Sequence, residues 1–109
     1  MATTYKVLGQ VAPAVTTNTT LYTVPSATST VCSTLVVCNR GSSQVSFRVA
    51  VRPAGAAIAD SHYLIYDTFI AANDSVFLTL GITLATTDVI TVYSNSSTLT
   101  FSLFGSEIV

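Results

Sequence analysis

An all-β fold is predicted for residues 1–109: a single antiparallel β-sandwich of about seven or eight strands, Ig-like or jelly-roll-like, with no substantial helix. Three observations predict it. Short runs rich in Val, Ile, Thr, Tyr and Phe recur at spacings of roughly 8 to 14 residues, separated by Gly, Pro, Asn and Ser. The clearest runs alternate apolar and polar residues, the period-two signature of a half-buried strand. No long helical pattern interrupts them. At 109 residues the chain has room for one sandwich core and not for two, so one domain is expected.

The stretch 30–53, TVCSTLVVCNRGSSQVSFRVAVRP, predicts a central hairpin, because two β-rich runs flank a polar turn in which Asn39 and Gly41 readily adopt positive φ. In the second run Val45, Phe47, Val49 and Val51 alternate with Ser46, Arg48, Ala50 and Arg52, giving one buried and one wetter face. Phe47 is the expected core anchor. In the first run Leu35-Val36-Val37 breaks the alternation, which fits a strand covered on both sides by a second sheet or a neighbouring subunit.

The remaining elements follow in order. YKVLGQ (5–10) predicts a first strand, and Pro13 with the polar cluster after it an extended connection. Leu21-Tyr22-Thr23-Val24 predicts a strand stopped by Pro25, and 26–29 a turn. AGAAIADS (54–61) is the one place for a helical turn. Residues 62–66 and 68–70 predict a strand broken near Asp67, and Ala72-Asn73-Asp74 a turn. SVFLTL (75–80) predicts a strand ended by Gly81, with 82–87 as a connection. Residues 88–93 and 98–104 predict a last hairpin across 94–97, its second strand alternating Leu99, Phe101 and Leu103 with Thr98, Thr100 and Ser102.

Composition bounds the function. Half of the residues are apolar and 8% are charged, against about a quarter in an ordinary domain, with Thr and Ser filling the gap. With a net charge of −1, little repulsion keeps copies apart, which suits a protein packed against others. No apolar run approaches the roughly 18 to 20 residues of a spanning helix, so no membrane partner is expected. MATTYKVLGQ lacks an apolar signal-peptide core, so folding in a cytoplasm is expected and the sequons at Asn18, Asn73 and Asn95 read as by-products of a Thr/Ser/Asn-rich composition. Cys32 and Cys38, six residues apart on one strand, are expected on the same face about 20 Å apart, too far for a disulfide. Both read as buried reduced thiols, at a spacing that fits no zinc knuckle.

Chemistry-bearing residues are few: one His, five acidic residues and no Trp. Asp60-Ser61-His62 holds the residue types of a hydrolytic triad, but adjacent residues point apart and cannot form the relay, so no enzyme activity is expected. Asp60, His62, Asp67 and Asp74 would meet around a cation only if their loops shared one end of the sandwich, and their spacing matches no metal loop, so no metal or cofactor is expected. Arg48 and Arg52 share one strand face about 13 Å apart and are candidates for meeting an acidic patch on a partner. Four basic residues supply no nucleic-acid footprint.

Read in order, YKVLGQ, TTLYTVP, VCNRG, FRVAVRPAG, HYLIYD, TLGITL, DVITVYS and FGSEI resemble a family of small virion structural proteins of tailed bacteriophages, notably phages of marine and freshwater bacteria. The resemblance implies a non-enzymatic building block of the virion, assembled in the host cytoplasm. It would act as a capsid decoration (cement) protein, or alternatively in the tail, baseplate or fibres. Expected partners are other copies of the chain, as a dimer or trimer, and virion proteins such as the major capsid protein. A receptor- or carbohydrate-binding sandwich is the competing class. The candidate partner contacts are Arg48, Arg52, Ala54, Ala56, Ile58, His62, Tyr63 and Tyr66.

Overall fold

The computed structural model describes residues 2–109 and contains eight strands: β1 (Thr3–Val11), β2 (Thr19–Thr23), β3 (Ser29–Asn39), β4 (Val45–Arg52), β5 (Tyr63–Ile70), β6 (Ser75–Leu84), β7 (Val89–Ser94) and β8 (Leu99–Ile108). They form two four-stranded antiparallel sheets, β1-β8-β3-β6 and β2-β7-β4-β5, packed as a sandwich. Strands pair as β1 with β8, β2 with β7, β3 with β6 and β4 with β5. The chain is therefore one long antiparallel ribbon doubled at β4–β5 and wrapped around the core. Of the two windings expected from the sequence, this is the jelly roll.

This winding corrects the predicted hairpins. β3 and β4 follow one another through an Asn/Gly/Ser turn but lie in different sheets, and so do β7 and β8. Asn39 supplies the reason at the first crossover. It is buried, its amide donates to the carbonyls of Ser43 and Ala71, and its oxygen accepts from the Gly41 N–H and the Thr98 hydroxyl. All its bonds serve the corner, which satisfies a polar group that would be costly to bury unpaired.

A row of β-bulges crosses the first sheet at one level: Leu8 in β1, Ser33 in β3, and Leu80-Gly81 in β6. Those at Leu8 and Ser33 insert one residue and reverse the in/out parity along the strand, whereas the two residues inserted in β6 leave its parity unchanged. The bulge at Ser33 overturns the shared face expected for the cysteines. Cys32 is fully buried, whereas Cys38 is half-buried on the outer face, and both are free. Likewise Gly81, at φ +60°, does not end β6 but kinks it, and 82–84 continue as strand. After the bulge Leu35, Val37 and Asn39 point inward and Val36 is only half-buried, so this chain does not cover β3 on both sides. The helical turn expected over 54–61 appears as two single 3-10 turns, Pro53–Gly55 and Asp60–His62, with irregular backbone between.

The core sits where the inner faces meet. Val45, Phe47 and Val49 of β4 are buried as expected, and Phe47 meets Phe101 of β8 edge-to-face at 6.0 Å between centroids. Val51, near the end of the sandwich, is half-buried against the same core. The opposite face of β4 is drier than predicted: Ser46 and Ala50 are buried too, because β4 is an inner strand flanked by β5 and β7. Polar groups close one end. The Tyr22 hydroxyl bonds to Thr30 and donates to Glu107, which also accepts from Lys6. Burial, then the Glu107 carboxylate, raises the Tyr22 phenol well above its ordinary range; the hydrogen bond from Tyr22, then Lys6, lowers Glu107.

Candidate functional site

The two outer faces differ in chemistry. On the second sheet, Arg48 of β4 stands opposite two residues of β5, Tyr66 and Asp67, because a bulge places them both between the Phe47–Thr68 and Val49–Ile65 pairs. Asp67 takes a positive φ of 51° there, a conformation Asp tolerates better than most residues. The bulge aims the Asp67 carboxylate at the guanidinium, which donates from Nε at 2.6 Å and from the second nitrogen at 3.2 Å. Tyr66 and Tyr93 hold the same guanidinium between them, their ring centroids 4.1 and 4.4 Å from its central carbon. Tyr63 meets Tyr66 edge-to-face at 4.9 Å. The hydrogen bonds with Asp67 raise Arg48 further above its ordinary range and hold Asp67 below the carboxylate range.

The structure thus brings Arg48, Tyr63 and Tyr66 together and adds Asp67 and Tyr93. It also engages the Arg48 guanidinium within this cluster, its side chain 23% exposed. Arg52 is engaged separately, donating to the Thr91 hydroxyl and to the carbonyls of Gly55 and Ala56. That clamp holds the exposed Ala54–Ala56 turn, in which Ala54 has φ 53° and donates its N–H to Asp88. Ile58 is half-buried and lines a small depression with Asn18, Thr20, Arg52 and Thr91. His62 closes its own 3-10 turn, its Nδ1 accepting from the Ala59 N–H. Asp60, His62, Asp67 and Asp74 do not gather, and among the described residues no three His, Cys, Asp or Glu side chains converge.

The outer face of the first sheet holds residues that sequence reasoning missed. Cross-strand register sets Tyr5, Ser106, Val31 and Thr83 in one row, Val7, Phe104, Thr34 and Thr79 in the next, and Gln10, Ser102, Val36 and Phe77 in a third. Lys6 and Glu107 take the opposite parity, so no formal charge projects from these rows. Tyr5 and Phe77 are 84% and 73% exposed, far more than large side chains on a working solvent face require. Tyr5, Val7, Val31 and Phe104 line a shallow, mainly apolar depression of about 640 Å³, to which Lys6 of the β1 edge adds its one charge. One signal for this face was readable: in SVFLT, Phe77 alternates in phase with Ser75 and Thr79, an aromatic on the polar side of its strand.

No family model matches this chain, and no curated protein is significantly similar to it.

Proposed function

We propose that the chain is a non-enzymatic structural subunit that docks its first sheet onto a larger protein assembly. The observation that carries this reading is the uncharged outer face with exposed Tyr5, Val7 and Phe77. Large aromatic and aliphatic side chains exposed among Ser, Thr and Gln on a face whose rows carry no charge suit a surface that works when covered. The resemblance of the sequence blocks favours a tailed-phage particle as the assembly, and a single compact domain without a fibre repeat favours its capsid decoration layer, with tail, baseplate or fibres as the alternative location. The jelly-roll winding supports that setting, being common in capsid layers, and is shared with lectins. Quantitative mass spectrometry of purified virions tests it. Hundreds of copies per particle indicate decoration, a few to some tens indicate the tail, and absence refutes the particle reading.

The Arg48 cluster favours a second reading. Tyr63 and Tyr66 line a shallow depression of about 340 Å³ with Asp60, pairing aromatic surface with a hydroxyl acceptor as a sugar site does. A glycan array probed with wild type and Tyr66→Ala decides it: binding that the substitution abolishes supports a receptor-binding module, and no binding removes it.

A further inference from the structure

The four sheet edges are β1 and β6 in the first sheet and β2 and β5 in the second. An edge presents unpaired N–H and C=O groups, and proteins blunt such edges with charge, bulges, shortness or cover. Three of the four are blunted. β1 carries Lys6 and a bulge, and the Leu21 carbonyl of β2 lies close against its Gly9. β2 has five residues and a bulge, and β5 has two register breaks and the charge of Asp67. β6 differs: its ten residues include no charge and no proline, and residues 75–79 run in unbroken register with β3 before the kink at Gly81.

We propose that β6 is a homodimer edge, residues 75–79 pairing antiparallel with the same residues of a second copy across a two-fold axis at Phe77. The occupant is argued from self-complementarity. With the axis at Phe77, Ser75 stands opposite Thr79 of the second copy, Val76 opposite Leu78, and Phe77 opposite itself. Hydroxyl meets hydroxyl, half-buried apolar meets half-buried apolar, and the exposed ring gains an aromatic neighbour. Asp74, just before the strand, stands about 20 Å from its copy in this register, beyond the screening length of about 10 Å. An isologous contact of this kind closes on itself. It joins two first sheets into eight strands and doubles the uncharged face. The inference stands on the edge geometry and does not depend on the particle setting.

Sedimentation and light scattering of the full chain test it, with hydrogen exchange as the second readout. Wild type is expected at twice the 11.4 kDa chain mass at tens of micromolar, with the amides of 75–79 that β3 does not bond protected only where the dimer forms. Phe77→Lys sets like charges face to face and weakens the dimer roughly tenfold or more. Because Phe77 is exposed, that variant keeps its fold, as circular dichroism checks. Register is fixed by Ser75→Cys with Thr79→Cys in a Cys38→Ala background, since Cys38 lies opposite Ser75 within the chain. The two new thiols are about 13 Å apart in one copy and cross-link only between copies. A monomeric wild type, a dimer indifferent to Phe77→Lys, unprotected edge amides or absent cross-links each overturn the proposal. None of these results bears on the virion measurement, so the two readings fail separately.

Discussion

Removing the Phe47 ring is the sharpest test of the core. Phe47 is 1% exposed, sits among Leu, Ile and Val side chains of both sheets, and meets Phe101 edge-to-face. Phe47→Ala loses that burial, leaves a cavity and deletes the ring pair, a loss of about 3 to 5 kcal/mol. At roughly 0.05 to 0.15 kcal/mol per residue, a chain of 109 residues has about 5 to 16 kcal/mol in total. The substitution therefore removes about a fifth of the stability or more. With a urea slope near 2 kcal/mol per molar, the midpoint falls by about 2 M. Ser46→Ala is the paired control. Ser46 is also buried, but the bonds it makes to Ser94 and Asn95 run through its backbone, so the change costs within about half a kcal/mol. Urea melts of both variants decide the matter: a larger loss for Ser46→Ala would refute the assignment of faces along β4.

Further outcomes are specific. A Cβ at Gly105 would collide with the Val31 carbonyl oxygen and crowd the Cys32 backbone, whereas one at Gly81 meets open space. Gly105→Ala therefore costs about 1 to 3 kcal/mol or more and Gly81→Ala only its backbone strain of about 1 kcal/mol, a ranking that thermal melts check. Glu107 and Asp67 have folded-state pKa values below their unfolded ones, so the unfolded chain binds more protons in acid. Their contribution is whole above the unfolded values near 4 and is lost as pH falls through the folded ones, so Glu107→Gln flattens the acid limb of a stability–pH curve. In native protein a thiol reagent labels the half-buried Cys38 first, while Cys32, fully buried and pushed up to about 11 by that burial, reacts only on unfolding. Equal labelling rates would contradict the parity switch at Ser33.

Side-chain alternation made the strands, the β4 register and the core role of Phe47 legible, because period two is a local property. Strand partners were not local. The stretch 39–44 has the composition of a hairpin turn, yet Asn39 spends its hydrogen bonds on a crossover, and nothing in five polar residues says which sheet receives the next strand. Bulges hid the rest. Ser33 inverts the phase of everything beyond it in β3, so the cysteines were placed on one face, and Gly81 kinks β6 without ending it, so that strand was cut short. Of the candidate site, Arg48, Tyr63 and Tyr66 were legible singly as candidate contacts and not as a cluster, because the Asp67 bulge that assembles them shows in the sequence only as a break in a strand.

The ribbon winding also dictates when the fold can form. β8 lies between β1 and β3, with Ile108 registered on Thr3 and on Ser29, so the first sheet has a gap at its centre until the last residues are available. Only β4–β5 closes locally; every other pairing waits for distant chain segments, placing folding in the slow, millisecond-to-second range of high contact order. During synthesis β1 and β3 emerge with edges whose partner, β8, is made after the other seven strands. A nascent or C-terminally shortened chain thus exposes the two strand edges that the complete fold hides best, and those edges, more than its surface once folded, set its exposure to aggregation.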